Sequence, residues 1–426
     1  MLKYIFIFFF VSVSLIFSQK GFQRGDDRRP DLNLHKAVFI EPHLIPFDSS
    51  FKCYFTYKIP FNNILFLKDG DNFTGGISLK LEVHKDDIYL KSETVSKKIT
   101  VNNYDMTNSD NDFLEGLLTI DLKEGNYTIK PSLNIENLNK DIFIPPFPLE
   151  VKTTEHKNIF DPVVIYNEKN SYNDQTFFRL VNSEGFVPYS IQDYSLVISI
   201  ADTSVEEISV SIIQNEKEIL NKIFTSVGSI GYGISDLDNA LCLTNNPDAV
   251  KVNLFVVNGF STKLNEGAAK LKIKIGEEEK EFEIFSAWIN KPRTLINPEF
   301  AIKILEHITP GEEVANLTDG DEEDYSKNLT SYWEKFDSNK ETAFNEVMNE
   351  FYQRADYAVR EFSTPNNRDG TSTDRGEIYV KYGKPDEVER SYSEKDNTVE
   401  IWIYNNINKR FMFSDKDGLG NFTLLK

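Results

Sequence analysis

The stretch KLKIKIGEEEKEFEIF, residues 270–285, decides the character of most of the chain. Leu271, Ile273 and Ile275 alternate with Lys272 and Lys274, a period of two that suits a strand with one dry face. After Gly276 the alternation resumes, and Glu281 and Glu283 can meet Lys272 and Lys274 across the turn. The expectation is a β-hairpin whose Lys/Glu face is solvated and is no binding patch. Outward from it, YSLVISI (194–200), EISVSII (207–213) and VNLFVV (252–257) are strand-like. The glycine-rich VGSIGYGIS (227–235) does not fit dinucleotide-binding spacing at Gly228, Gly231 and Gly233, and is expected to be an irregular loop.

Further upstream the same period holds. ISLKLEVH puts Ile77, Leu79, Leu81 and Val83 on one side, NYTIKPSLNI follows a turn at Glu124-Gly125, and DGDN and GG punctuate the runs. Short alternating strands parted by Gly, Asn and Asp predict antiparallel β-sandwiches of the Ig-like kind. Residues 36–152 and 153–290 are predicted as two such domains, followed by an α+β domain over 291–426.

The chain starts MLKYIFIFFFVSVSLIFSQK. One cation, Lys3, precedes an apolar run from Tyr4 to Val11 that continues with two serines to Phe17, and polar residues take over at Ser18-Gln19. That order predicts a cleaved signal peptide over 1–18, the competing reading being an uncleaved N-terminal anchor. No cysteine near the cut indicates a lipoprotein. Residues 19–35 read as a charged tether. The expected location is exported: periplasmic, outer-membrane-associated or extracellular, with no transmembrane anchor after cleavage.

A composition of 40% hydrophobic and 13% aromatic residues is that of a folded chain, and its formal charge of −20 repels phosphate backbones and anionic lipid. Nucleic acid is therefore not an expected partner; an envelope or extracellular protein or glycan is. Cys53 and Cys242 could pair in an oxidising compartment, but they fall in different predicted domains, and the sequence leaves their pairing open. Cys53, within FKCYFTYKI (51–59), alternates with Phe51, Phe55, Tyr57 and Ile59 as a small core residue.

From Asn297 the pattern turns helical. Asn297 and Pro298 form an N-cap and first position ahead of Ala301, Ile304, Leu305 and Ile308. The acidic run 319–324 suits the start of a following helix. Ser338 and Glu341 have capping-box spacing before Phe344, Val347, Met348, Phe351, Ala355, Ala358 and Phe362, a helix ended by Ser363-Thr364-Pro365. VEIWIYN, RFMFSD and NFTLL then read as antiparallel strands. EIYVKYG (377–383) is ambiguous: its β-branched and aromatic residues favour a strand, yet Thr373 or Asp374 could cap a short helix ending at Gly383.

The candidate site is DGTSTDRGEIYVKYGKPDEVE, residues 369–389. Read as chemistry, Asp374 is an acid or base, Arg375 holds an anion, and Asp386, Glu387 or Glu400 is a second carboxylate. Read as binding, the set is Thr373, Asp374, Arg375, Gly383, Pro385, Asp386 and Trp402. Read as architecture, which outweighs both, Thr373 and Asp374 bond backbone at a turn, Arg375 makes a buried ion pair, and Gly383-Lys384-Pro385 sets a bend. Zinc-helix, Walker and nucleophile-elbow signatures are missing from the sequence, its five histidines are scattered, and no cofactor is called for. Asp415 and Asp417 in DKDGLGN are spaced like the first two ligands of a calcium loop, but the glycine comes two places early and no acid closes it; a turn explains the same residues.

At these residues the chain resembles the GWxTD-domain family of exported bacterial proteins. The motif falls on Gly370-Thr371-Ser372-Thr373-Asp374, followed by a matching Arg-Gly. YWEKFD (332–337), TAFNEVMNEFYQRADYA (342–358), YGKPDEVER (382–390) and VEIWIYN (399–405) also match, and SDLDNAL (235–241) and FSAWINKP (285–292) match more weakly. The family's tryptophan is Thr371 here; if that tryptophan stacks on a ligand, this member lacks the contact, and if it only packs, Tyr379 is a neighbour able to compensate. The resemblance implies export and a β-rich part ahead of this domain, and supplies no reaction. The expected function is a binding or scaffold protein with β modules as spacers. The alternative is an extracytoplasmic hydrolase of a glycan or peptide using Asp374 with Glu400 or Asp386. Carboxylates converging on an open cleft, roughly 5–10 Å apart, mark the hydrolase; the same groups buried against Arg375 and Arg410 mark the scaffold.

Overall fold

The computed structural model describes residues 38–425 apart from 48–49, 110–111, 139–140, 153–158, 168–169, 173–174, 238, 365–366 and 393–397. The predicted signal peptide (1–18) and tether (19–35) lie outside the described residues.

The first β unit packs a three-stranded antiparallel sheet, in the order Phe39–Phe47, Ser50–Pro60, Phe113–Leu122, on a larger sheet built around Asn72–Lys85, Ile88–Val101 and Gly125–Ile135. Its core takes Phe51, Cys53, Phe55, Tyr57 and Ile59 from one sheet and Ile77, Leu79, Leu81 and Val83 from the other, the alternating residues of the sequence pattern. In the strand Ser50–Pro60, however, Tyr54, Thr56 and Lys58, which lie between them, are buried as well.

The reason is the second unit. Its five-stranded sheet, ending in the hairpin Gly267–Ile275/Glu278–Ala287, covers one face of a central sheet that contains Tyr194–Ile200 and Val252–Val257. The other face of that central sheet packs on Tyr232, Ile234, Leu241 and Leu243, and with them on Ile45 and Tyr54 of the first unit. All seven residues of Tyr194–Ile200 are buried because the strand lies in a middle layer. The two units thus share apolar surface across their junction.

In the hairpin, Lys272 pairs with Glu281 at 2.6 Å as expected. The turn is only Gly276-Glu277, with Gly276 at φ +58°, so Lys274 stands opposite Glu279, and Glu283 opposite Lys270. The expected irregular loop at 227–235 is instead two strands, Gly228–Ile230 and Tyr232–Leu237. Gly231 separates them where a Cβ would stand 2.5 Å from the carbonyl oxygens of Asn246 and Ala249, a contact only glycine permits. Cys53 and Cys242 are both free and buried.

The C-terminal domain carries α1 (Pro298–Ile304), α2 (Gly311–Leu317), α3 (Tyr325–Trp333), α4 (Glu346–Phe362) and α5 (Asp374–Tyr382). Asn297 caps α1 by accepting the Phe300 amide at 3.1 Å. Asn345, not Ser338, caps α4, taking the Met348 amide at 2.9 Å, so Phe344 precedes the helix. Phe344 instead joins Tyr189 and Trp288 in a triangle of edge-to-face rings with centroids 5.2–5.4 Å apart, fastening this domain to the second β unit. A four-stranded antiparallel sheet closes the domain in the order Glu387–Tyr392, Thr398–Tyr404, Lys409–Asp415, Phe422–Leu425. The first of these strands, exposed along its whole length, is not anticipated by the sequence pattern.

Candidate functional site

EIYVKYG is helical, and its ends show why. Thr373, at extended angles, accepts the Gly376 amide through its hydroxyl (3.1 Å) and donates that hydroxyl to the Gly370 carbonyl (2.8 Å). Gly383 stops the helix at φ +77° while its N–H reaches the Tyr379 carbonyl at 2.7 Å. Glu377 and Lys381 pair along one face at 2.6 Å. Two caps and a one-turn ion pair thus outweigh the β preference of Ile378, Tyr379 and Val380.

The short 3-10 turn Gly370–Ser372 is wedged between α4 and α5. A Cβ on Gly370 would stand 2.0 Å from the Ala358 carbonyl oxygen, and one on Gly376 would stand 1.8 Å from the Gly370 carbonyl oxygen. Thr371, in the position of the family's tryptophan, is almost fully buried and donates both its amide and its hydroxyl to one oxygen of Asp369, at 3.1 and 2.5 Å. Asp369 also lies 3.5 Å from Lys303 of α1. Tyr379 stacks on Tyr357 at 4.3 Å and meets Phe362 and Trp402 edge-on.

The charged residues of the motif are engaged as well. Asp374 Oδ2 accepts the Leu424 amide at 2.6 Å, tying the last strand to the start of α5. The Arg375 guanidinium lies between the rings of Phe362 (4.9 Å) and Phe422 (4.0 Å), with Nη1 3.6 Å from Glu400 and Nη2 3.5 Å from the Gly420 carbonyl. Burial lowers the proton affinity of Arg375, while Glu400 opposes that. Glu400 is buried beside Trp402, accepting the indole N–H at 2.6 Å on Oε1 and the Arg390 Nε–H at 2.9 Å on Oε2. Its second cation is therefore Arg390; Arg410, the expected one, pairs with Glu389 at 3.3 Å.

Asp386 lies beyond the far end of α5, accepting the Asn405 amide at 2.7 Å. Asp374 starts α5 and Asp386 follows its end, so the nine-residue helix, about 13 Å of axis, holds them apart. Gly383 gives its carbonyl to the Tyr404 hydroxyl at 2.8 Å, and Pro385 is half-buried in the connection to the next strand. The structure therefore brings Thr373, Asp374, Arg375, Glu400 and Trp402 to the head of α5, and Gly383, Pro385 and Asp386 to its tail. Asp415 is buried and accepts three amides, those of Asp417 (3.3 Å), Gly418 (3.0 Å) and Gly420 (2.8 Å), so it shapes a turn. Among the described residues no group of three or more His, Cys, Asp and Glu side chains is placed to hold a metal ion. A shallow groove of about 510 Å³ between α1 and α2 is lined by Phe300, Lys303, Glu306 and Val314, and by none of the motif's charged residues.

Sequence reasoning did not single out Asp369, Gly376 or Arg390. Asp369 was within reach, since an acid two residues before Thr371 is an Asx-turn spacing; Arg390, ten residues from Glu400 in sequence, becomes its neighbour only through strand pairing.

This arrangement is the GWxTD domain: residues 277–424 match that domain family. The chain is a GWxTD domain-containing protein, with the match covering its C-terminal third and the last hairpin strand of the second β unit. No curated protein matches the chain. Among solved structures, the titin Ig tandem domains A164-A165 are similar at 11% identity over 59% of this chain and 95% of that one, with a TM-score of 0.13. The fold assignment rests on the sheet topology and not on that likeness.

Proposed function

We propose that the protein is an exported scaffold or binding protein of the cell envelope or exterior, in which the β units carry the GWxTD domain as the interacting head. The observation that carries this reading is the engagement of the motif's charges: Asp374 is bonded to Leu424, and Glu400 is enclosed by Arg375, Arg390 and Trp402. General acid–base work needs a carboxylate within reach of a substrate proton, and these two are committed to backbone and to arginine. The apolar run after Lys3 supports export, and the β-rich mass ahead of the head supports a presenting role.

The test has two arms. Fractionation of cells expressing the full chain, with N-terminal sequencing, is expected to find it outside the cytoplasm and starting after residue 18. Purified protein is then assayed against envelope glycans and peptides, and no turnover is expected. A turnover that disappears in a folded Asp374→Asn or Glu400→Gln variant overturns the scaffold reading, and cytoplasmic retention overturns export.

A further inference from the structure

The strand Glu387–Tyr392 is the edge of the head's sheet: it pairs with Thr398–Tyr404 on one side, and among the described residues no strand pairs with it on the other. An edge that must stay unpaired is ordinarily blunted by a bulge, a proline or an inward-pointing charge. Here the register with Thr398–Tyr404 runs from Glu387↔Ile403 to Tyr392↔Thr398 without a shift, and no proline interrupts the six residues. One inward charge is present, Arg390, and Glu400 already neutralises it at 2.9 Å.

The two faces of this strand differ. Val388, Arg390 and Tyr392 stand on the side of Trp402 and Glu400, the face that α4 and α5 cover through Phe362 and Tyr379. Trp402 is 3% exposed under that cover, whereas Val388, directly opposite it, is 48% exposed and Tyr392 is 79% exposed. The cover therefore ends one strand short of the sheet's edge and leaves two large apolar side chains in water. Glu387 and Glu389 stand on the other face. Glu389 pairs with Arg410 at 3.3 Å with both side chains more than half exposed, and Glu387 has only a 3.5 Å contact from Asn405 Nδ2. Exposed pairs of this kind are weak, so the outer face of the edge stays available to further cations.

We propose that Glu387–Tyr392 receives an extended segment of another protein as an added strand, one that carries apolar residues on the helix side and basic residues opposite Glu387 and Glu389. Main-chain bonds along the free edge supply the hold, and alternate side chains supply the choice of partner. Val388 and Tyr392 then gain the apolar neighbours that the helices do not give them, and the two glutamates gain counter-charges directly across the strand pair. A second copy of this chain fits the edge poorly. Antiparallel self-pairing about Glu389 or Arg390 sets that residue against itself, and pairing about Val388 sets Glu387 against Glu389, like charges facing each other in every case. This inference rests on the reading of the GWxTD domain as the interacting head, and gives that head a docking edge.

Hydrogen exchange of the full chain tests it, with a capped synthetic peptide alternating lysine and valine as the probe and a peptide of the same composition with its lysines and valines in two blocks as the control. At about ten times its dissociation constant the alternating peptide is expected to slow exchange in Glu387–Tyr392 by about tenfold, and the blocked one to leave it unchanged. The variant Glu387→Lys/Glu389→Lys is expected to lose that response and to gain one toward an alternating glutamate–valine peptide. No binding, binding that slows exchange elsewhere but not in this strand, equal responses to the two lysine peptides, or a charge-reversed variant that still prefers lysine each overturn the inference. These results are separable from the fate of the scaffold reading: turnover of an envelope substrate sinks that reading whatever the exchange shows, and an unprotected edge sinks only the docking edge.

Discussion

The carbonyl oxygen of Gly370 occupies the place that any side chain on Gly376 would need, 1.8 Å from its Cβ position. Gly370 is in turn pressed on the Ala358 carbonyl, so backbone from the 3-10 turn, α4 and α5 meets with no side chain between. The neighbours on both sides are main chain and cannot swing aside. Gly376→Ala is expected to unfold the C-terminal domain or to cost it more than about 3 kcal/mol, as overpacking against rigid backbone does. Loss of the domain's transition in a calorimetric scan of the full chain checks this; a shift of less than a degree refutes it.

Asp374 holds the last strand through a single bond to the Leu424 amide. Asp374→Ala is expected to cost about 1–2 kcal/mol, the range for a hydrogen bond to a charged group near a helix start. Hydrogen exchange at Leu424 should accelerate while exchange in α4 stays protected. Equal loss of protection in both means that Asp374 does more than pin this strand.

Glu400 holds Arg375 and Arg390 together, and Arg375 has its face against Phe362 and Phe422. Glu400→Gln leaves a buried guanidinium without its counter-charge, and a loss of about 3 kcal/mol is expected. Arg375→Met in the same chain should recover part of that loss, because the uncompensated cation is then gone. A double variant no more stable than Glu400→Gln alone shows that the two are not coupled.

The thiols of Cys53 and Cys242 are pushed up by burial, to about 12 and about 11. Thiolate is the reactive species, so neither should react with iodoacetamide in the native protein at neutral pH, and both should react after denaturation. Both cysteines are free, so reductant should leave the melting temperature unchanged. Rapid native labelling of either thiol contradicts the burial described.

His307, at the end of the turn after α1, is pushed below its ordinary 6.5 by burial and by Lys381, with Glu377, Asp369 and Glu306 opposing. A base lowered in the folded state contributes stability that is complete above 6.5 and is lost as pH falls toward the lowered value. The C-terminal domain is therefore expected to melt earlier as the pH drops below 6.5, and His307→Gln should flatten that slope. An unchanged slope in the variant places the acid sensitivity elsewhere.

How far the sequence reveals this structure depends on whether a signal is local. The inward faces of Leu79, Leu81, Leu271 and Ile273 follow from alternation alone. Ser338 and Glu341 imitate a capping box, yet the helix waits for Asn345 because Phe344 is held by Tyr189 and Trp288 from another unit. The strand Glu387–Tyr392 has no dry face, so it shows no alternation for a pattern to reveal. Thr373 reads as a possible cap, but Gly370 is fixed by the carbonyl of Ala358 in α4 and Gly376 by that of Gly370, crowding that only the folded arrangement creates. The buried pair of Lys58 and Glu115 is not legible in the sequence, because both are ordinary charges until a second unit covers them.

The middle-layer strand Tyr194–Ile200 also bears on how the chain is made. Synthesis and any translocation proceed N-terminus first, so Ile45 and Tyr54 emerge well before the central sheet that covers them exists. During that interval the first unit presents an apolar flank that the finished protein never exposes. Completion of the first unit's burial thus waits on strands encoded more than a hundred residues further along the chain.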